Sequence, residues 1–170
     1  MAGKSHLDEL IDYKEKVIDL LGQSKAIVGL ILDNPNIDME SDAAYAVFDN
    51  NLFNYDYVDS TVQIAEPYIM VETRSESTSP TMKDVYLLIQ IVCPKLKMKL
   101  DGKIFKGVKG NRCDNLVRQI DLLLNNSKGF GIGRLELLDV DPASVPSKYS
   151  SKLITYKVPD FARDRSLGNV

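Results

Sequence analysis

The sequence predicts a single α+β domain, with an antiparallel or mixed sheet and helices packed on one of its faces. Three observations carry that prediction. Residues 6–21 and 112–126 repeat apolar side chains at helical spacing, and β-rich runs fall between and after these segments instead of alternating with helices. The chain has 170 residues, 44% apolar and 26% charged, the size and composition of one ordinary globular domain. A chain of this length can bury roughly 70% of the surface it exposes when unfolded, so a core forms without staples. The domain is expected to span 1–161, with 162–170 as a flexible tail.

Leu7, Leu10, Ile11, Val17, Ile18 and Leu21 recur at three- and four-residue steps, which predicts the first helix. Ser5 is its expected N-cap, with Asp8 three residues on, and Gly22 its expected stop. Ala26–Leu32 predicts a short helix, entered at Ser24 and blocked by Asn34-Pro35. From Asn36 to Ser60 the Asn, Asp and Tyr content reads as a long irregular excursion with aromatic anchors, so that 33–60 forms an acidic insertion. Thr61–Thr73 reads as an edge or bulged strand broken at Pro67, and the polar run Arg74–Thr81 as a flexible linker. Val85–Cys93 is almost continuously apolar, the signature of a central strand.

After Pro94, Lys95-Leu96-Lys97-Met98-Lys99-Leu100 alternates strictly, which predicts a strand with three lysines on one face. Asp101-Gly102 would turn it, and Lys103–Val108 would return as a hairpin partner. Asn111 caps a second strong helix, Arg112–Asn126, with Leu116, Ile120, Leu123 and Leu124 as its buried stripe and Gly129 as its stop. Phe130, Ile132, Leu135 and Leu137 lead into another strand. Leu153–Val158 forms the last strand after the loop Pro142–Ser150, and Pro159 ends the sheet. Ala162–Val170 carries Arg163 and Arg165 and few apolar residues, so it should order only against a partner.

A net charge of -3 conceals a segregation. No Lys or Arg lies between Ala26 and Thr73, which holds Asp33, Asp38, Glu40, Asp42, Asp49, Asp56, Asp59, Glu66 and Glu72. Between Lys83 and Arg118 the balance reverses, with Lys95, Lys97, Lys99, Lys103, Lys106, Lys109 and Arg112 against Asp84, Asp101 and Asp114. Opposite charges on separate surfaces suit head-to-tail self-association. The candidate interface residues are Lys95, Lys97, Lys99, Lys103 and Lys106 on one flank, Asp38, Glu40 and Asp42 on the other, and Arg163 and Arg165 in the tail. The simpler account leaves both as solvated faces.

Catalytic and ligand-binding classes find little support. Cys93 and Cys113 have no Cys or His neighbour at metal-ligand spacing and are expected to be core thiols, and His6 is the only histidine. The start of the chain is an acidic amphipathic stretch instead of an apolar leader, and no apolar run approaches the roughly 18 residues of a membrane span. Gly129-Phe130-Gly131-Ile132-Gly133 resembles a phosphate cradle, but it follows a helix instead of opening one. Asp33, Asn36, Asp38, Glu40 and Asp42 lack the turn glycine of a calcium loop, and Ala44 stands where its bidentate Glu belongs. Asp139 and Asp141 can share one face of a strand as hydrolase carboxylates do, although Asp-Pro at a strand end is more often a turn. Asn125-Asn126-Ser127 has the form of a glycosylation acceptor, which carries no meaning without a secretory signal. Tyr45, Phe48, Phe53, Tyr55 and Tyr57 read as packing before they read as a binding surface. The lysine run lacks interleaved aromatics and faces an acidic counterpart, which argues against sequence-specific nucleic-acid binding. No catalytic residue, metal or cofactor is expected, and the chain reads as a protein that works by contact.

The run from Arg112-Cys113-Asp114-Asn115-Leu116-Val117-Arg118-Gln119-Ile120 to Asn125, then Gly131-Ile132-Gly133-Arg134-Leu135, Tyr149, and Leu153-Ile154-Thr155-Tyr156-Lys157-Val158 resembles the tail terminator and neck proteins of tailed bacteriophages and related tail-like particles. The similarity is of pattern, and covers the C-terminal part from Arg112 together with the first helix. It implies an α+β subunit of helix, sheet, second helix and closing strand that assembles as a six-fold ring, caps the tail tube and offers a surface for head attachment. Its implied partners are further copies of itself and tube, neck or connector and sheath proteins, and its implied place is the virion, assembled in the host cytoplasm. A neck adaptor or another small morphogenesis protein is the alternative. The acidic section Asp33–Ser60 has no counterpart in that pattern and would be an outward-facing insertion.

Overall fold

A computed structural model describes residues 7–57 and 65–161. Among these residues it has four α-helices and a five-stranded mixed sheet, an α+β single-domain fold as the sequence predicts. The helices are α1 (Asp8–Gln23), α2 (Lys25–Ile31), α3 (Asp42–Asn50) and α4 (Arg112–Leu124). The strands are β1 (Leu52–Phe53), β2 (Tyr68–Ser77), β3 (Met82–Pro94), β4 (Glu136–Pro142) and β5 (Tyr149–Phe161), ordered β1-β2-β3-β5-β4. β1 pairs with β2 in parallel and every other pair is antiparallel.

The period of two in β3 sets the core. Val85, Leu87, Ile89, Ile91 and Cys93 are buried on one face, with Ile69 and Val71 of β2 and Ile154, Tyr156 and Val158 of β5 beside them. Val17 and Leu21 of α1, Ile27, Val28 and Ile31 of α2, and Leu116, Ile120 and Leu124 of α4 close over that layer. The alternate residues Met70 and Val92 join Phe53, Tyr68 and Tyr149 in a second, smaller cluster. β3 is the middle strand of the order, paired antiparallel with β2 on one side and along its whole length with β5 on the other.

Several boundaries differ from the sequence expectation. Gly22 does not stop α1: it lies inside the helix under the ring of Phe48, where a Cβ would collide, and Ser24 alone separates α1 from α2. Leu7 occupies the cap position of α1, and Ser5 lies outside the described residues. The acidic insertion is not irregular throughout. Ser41 caps α3, its Oγ accepting the Ala44 N–H at 3.3 Å, and β1 follows with Leu52 opposite Ile69. Asp and Asn there mark turns and a helix start, which composition alone confuses with loop.

β2 begins just after Pro67, and Thr61–Ile64 lie outside the described residues. Arg74–Thr81 is no linker: β2 runs on to Ser77, and the amides of Thr78 and Ser79 donate to the Met82 carbonyl at 3.0 and 3.1 Å in a hairpin. Its side chains are polar because this end of the hairpin is exposed on both faces.

Lys95–Leu100 is neither strand nor hairpin arm. Lys95–Lys97 form a single 3-10 turn, Leu96 is 99% exposed, and Asp101–Val108 pass through further turns that bury Phe105. Alternation needs a ladder partner to become a strand, and here the local carbonyls are claimed by α4: Arg112 donates its backbone N–H to the Met98 carbonyl at 2.8 Å and its Nε to that of Lys97 at 2.6 Å. α4 ends at Leu124, with Asn126 at φ 62, so Gly129 is not its stop. Phe130 and Leu135 are buried from an irregular segment before β4 instead of from a strand. Pro159 does not end the sheet either, since β5 continues to Phe161 opposite Met82. The Pro159 carbonyl accepts the Ile132 N–H at 3.0 Å on the side away from β3, so the N–H that proline lacks falls on that side too and the β3 ladder is spared.

Candidate functional site

The fold gathers part of the segregated charge inside one chain. Arg112, 1% exposed, donates to Asp33 Oδ1 at 2.6 Å, to the Lys97 carbonyl, and to the Leu30 carbonyl, with Phe105 under its guanidinium at 5.7 Å. Lys83, 5% exposed, meets Glu9 at 2.9 Å and Asp160 at 3.8 Å. These two cations therefore hold elements together and are absent from any basic outer face. Lys97 reaches Glu66 at 3.3 Å, so the acidic and basic halves of the sequence already meet here within one copy.

The remaining candidates are at the surface. Lys95, Lys99, Lys103 and Lys106 are exposed on the 3-10 turn and the turns that follow it. Asp38, Glu40 and Asp42 are exposed ahead of and within the first turn of α3. Asp38 Oδ1 accepts the Glu40 N–H at 3.0 Å, and Tyr45 donates to Glu40 at 3.1 Å, a bond that raises the Tyr45 pKa. Asp33, Asp38, Glu40 and Asp42 thus serve a salt bridge, a turn and a helix start. Arg163 and Arg165 lie outside the described residues.

The chemical candidates resolve into structure. Cys93 and Cys113 are both buried and hydrogen-bonded to each other, and that bond with burial holds the Cys93 thiol far above its ordinary pKa. Gly131, at φ 103, passes so close to the Pro159 carbonyl that the Gly129–Gly133 run serves backbone packing between the α4–β4 connection and β5. The aromatic block divides: Phe53 stacks on Tyr57 at 4.4 Å beside Tyr68, while Tyr45 and Tyr55 are exposed. Among the described residues, no group of three or more His, Cys, Asp or Glu is placed to hold a metal ion, and no helix is long and apolar enough to cross a membrane.

The feature that the sequence did not disclose is an open sheet edge. All seven residues of β4 are exposed, including Leu137, Leu138 and Val140, and among the described residues the strand pairs only with β5. A bulge at Leu138 separates Leu137 from Asp139, after which Asp139 and Asp141 share one face opposite Thr155 and Leu153. At the opposite edge, among the described residues, β1 pairs with only Ile69 and Met70 of β2. The alternation Val140 between Asp139 and Asp141 was the available signal; its apolar half is exposed, so pattern alone could not place it on an edge.

A family model described as YomW matches residues 9–158 of the chain. No curated protein matches it.

Proposed function

The chain belongs to the YomW family; on that premise we propose that it is a phage-associated structural protein of the virion, a tail terminator whose ring caps the tail tube and joins it to the neck and head. It works by contact, with no catalytic step and no cofactor. Its partners are further copies of itself in a closed ring, six by the resemblance, and the tube and neck proteins on either side. Lys95, Lys99, Lys103 and Lys106 of one copy face Asp38, Glu40 and Asp42 of the next.

The observation that supports this reading best is the β4 edge. The edge carries a bulge, two aspartates and Pro142, which deter unselective strand pairing, yet its seven consecutive exposed residues include three large apolar side chains, which suit a surface completed by another chain. The experiment is light scattering of the purified chain across concentration and salt, with negative-stain images of each peak, followed by removal of the coding sequence from a phage that carries it. Annular particles, and separate heads and tubes on removal, are the expected results. Intact infectious particles without the protein would overturn the assignment.

A further inference from the structure

We propose that the segment beginning at Ala162 of one copy adds as a strand to the open edge of β4 in a second copy, setting Arg163 and Arg165 against Asp139 and Asp141. The proposal deepens the ring reading by naming a contact, and depends on that reading only for self-association. Asp139 and Asp141 project from one face of an exposed edge strand, opposite Thr155 and Leu153. Among the described residues neither has an ion-pair partner. The lysines of the neighbouring positions on β5 are engaged elsewhere, Lys157 with Asp84 at 2.8 Å and Lys152 with Asp114.

The sequence places the matching cations at the matching interval. Arg163 and Arg165 are two residues apart, as Asp139 and Asp141 are, so an extended strand presents both arginines on one face. β5 is still extended at Phe161, the last described residue before them. Carboxylates on an edge normally deter strand addition, and here they would repel another acidic edge while accepting one that brings arginines.

Reach excludes the copy's own β4. Arg163 follows Phe161 by two residues and can lie no more than roughly 7 Å beyond it. Asp139 sits opposite Thr155, six residues back along β5 from Phe161, roughly 20 Å away before the sideways step is counted. Arg165 follows Phe161 by four residues and lies no more than roughly 14 Å beyond it, while Asp141 sits opposite Leu153, roughly 27 Å back along β5, so the two arginines can be set against the two carboxylates only across copies. Each copy then has one donor segment and one acceptor edge, a head-to-tail contact that propagates until its rotation closes a ring.

The test uses the full chain in sedimentation velocity at low salt. One variant carries Asp139→Lys with Asp141→Lys, another Arg163→Asp with Arg165→Asp; circular dichroism melting checks that both fold. Each alone places like charges across the contact and should associate at least tenfold more weakly than the parent. An equimolar mixture pairs the arginine segment of the first with the intact edge of the second, and the aspartate segment of the second with the lysine edge of the first, so association returns. Unaltered association of either variant alone, or no recovery on mixing, overturns the proposal while leaving the ring reading standing. A parent chain that stays monomeric at every concentration also overturns it, and confines the ring reading to assembly templated by a tube.

Discussion

The guanidinium of Arg112, at the first position of α4, meets Asp33 Oδ1 at 2.6 Å across 79 positions of sequence. Asp33 holds a left-handed φ of 59 just after α2, so the pair ties that turn to the start of α4. The same guanidinium serves the Leu30 and Lys97 carbonyls. Arg112→Ala strands these acceptors in a buried site and should cost about 3 kcal/mol or more in urea unfolding. Asp33→Asn keeps a residue that tolerates the left-handed region and loses only the charge, so it should cost about 1 kcal/mol. Equal losses for the two would show that the carboxylate, and not the satisfied carbonyls, carries the stabilisation.

Gly131 offers a backbone test. Its φ of 103 disfavours any side chain, and a Cβ there would lie 2.6 Å from the Pro159 carbonyl oxygen, an atom fixed by the sheet. Gly131→Ala should destabilise by about 2 kcal/mol or more. Gly102 has open space around it, so Gly102→Ala should stay within about 0.5 kcal/mol of the parent. Thermal melts of the two variants side by side check the contrast, which fails if both behave alike.

How much of this was legible in the sequence follows from which forces were local. Ser24 ahead of α2 and Asn111 ahead of α4 were readable because apolar spacing coincided with a polar residue at the boundary; at Asn111 the side chain accepts the Asp114 N–H at 2.9 Å. β3 was readable because both of its partners are strands, which makes its core face continuous. Lys95–Leu100 misled because its alternation had no ladder to join, a fact set by Arg112 from α4. The β4 edge was illegible for the opposite reason: no local rule tells an exposed Leu137 or Val140 from a buried one. The charge segregation was plain, but sequence could not show that Arg112 and Lys83 are spent inside the fold.

Two phenols, the half-buried Tyr13 and the buried Tyr156, bear on the alkaline limit. Burial, then the hydrogen bond to Asp160, pushes Tyr13 above its ordinary value, and burial, then the neighbouring Asp121 charge, does the same for Tyr156. A folded-state pKa raised above the unfolded one means that the native state holds protons the unfolded chain releases. That contribution is fully present below pH of about 10 and is lost as pH rises through the raised values. Stability should therefore fall above pH of about 10, with phenolate absorbance from these two rings appearing only as the chain unfolds. Tyr13→Phe with Tyr156→Phe should flatten that fall; an identical alkaline slope would refute the assignment.

Lys83 and Lys97 separate buried from surface pairing. Lys83→Ala removes the buried cation that Asp160 and Glu9 share, and should cost about 2 kcal/mol or more. Lys97→Ala breaks a half-exposed pair with Glu66 and should cost under about 1 kcal/mol. Added salt should erase most of the Lys97 effect and little of the Lys83 effect, as guanidine-free urea titrations at two ionic strengths can read.

The exposed lysines bear on assembly instead. Lys97 is occupied by Glu66, so a charge reversal that includes it would confound folding with contact. Lys95→Glu with Lys99→Glu avoids that, since both side chains are exposed on the turns before α4. If they face Asp38, Glu40 and Asp42 of the next copy, reversal turns attraction into repulsion over distances shorter than the screening length of about 10 Å at 0.1 M salt. Self-association at low salt should weaken at least tenfold and converge with the parent at high salt, where both are screened. Unchanged low-salt association would remove the lysine flank from the contact and leave the β4 edge as the surface through which copies meet.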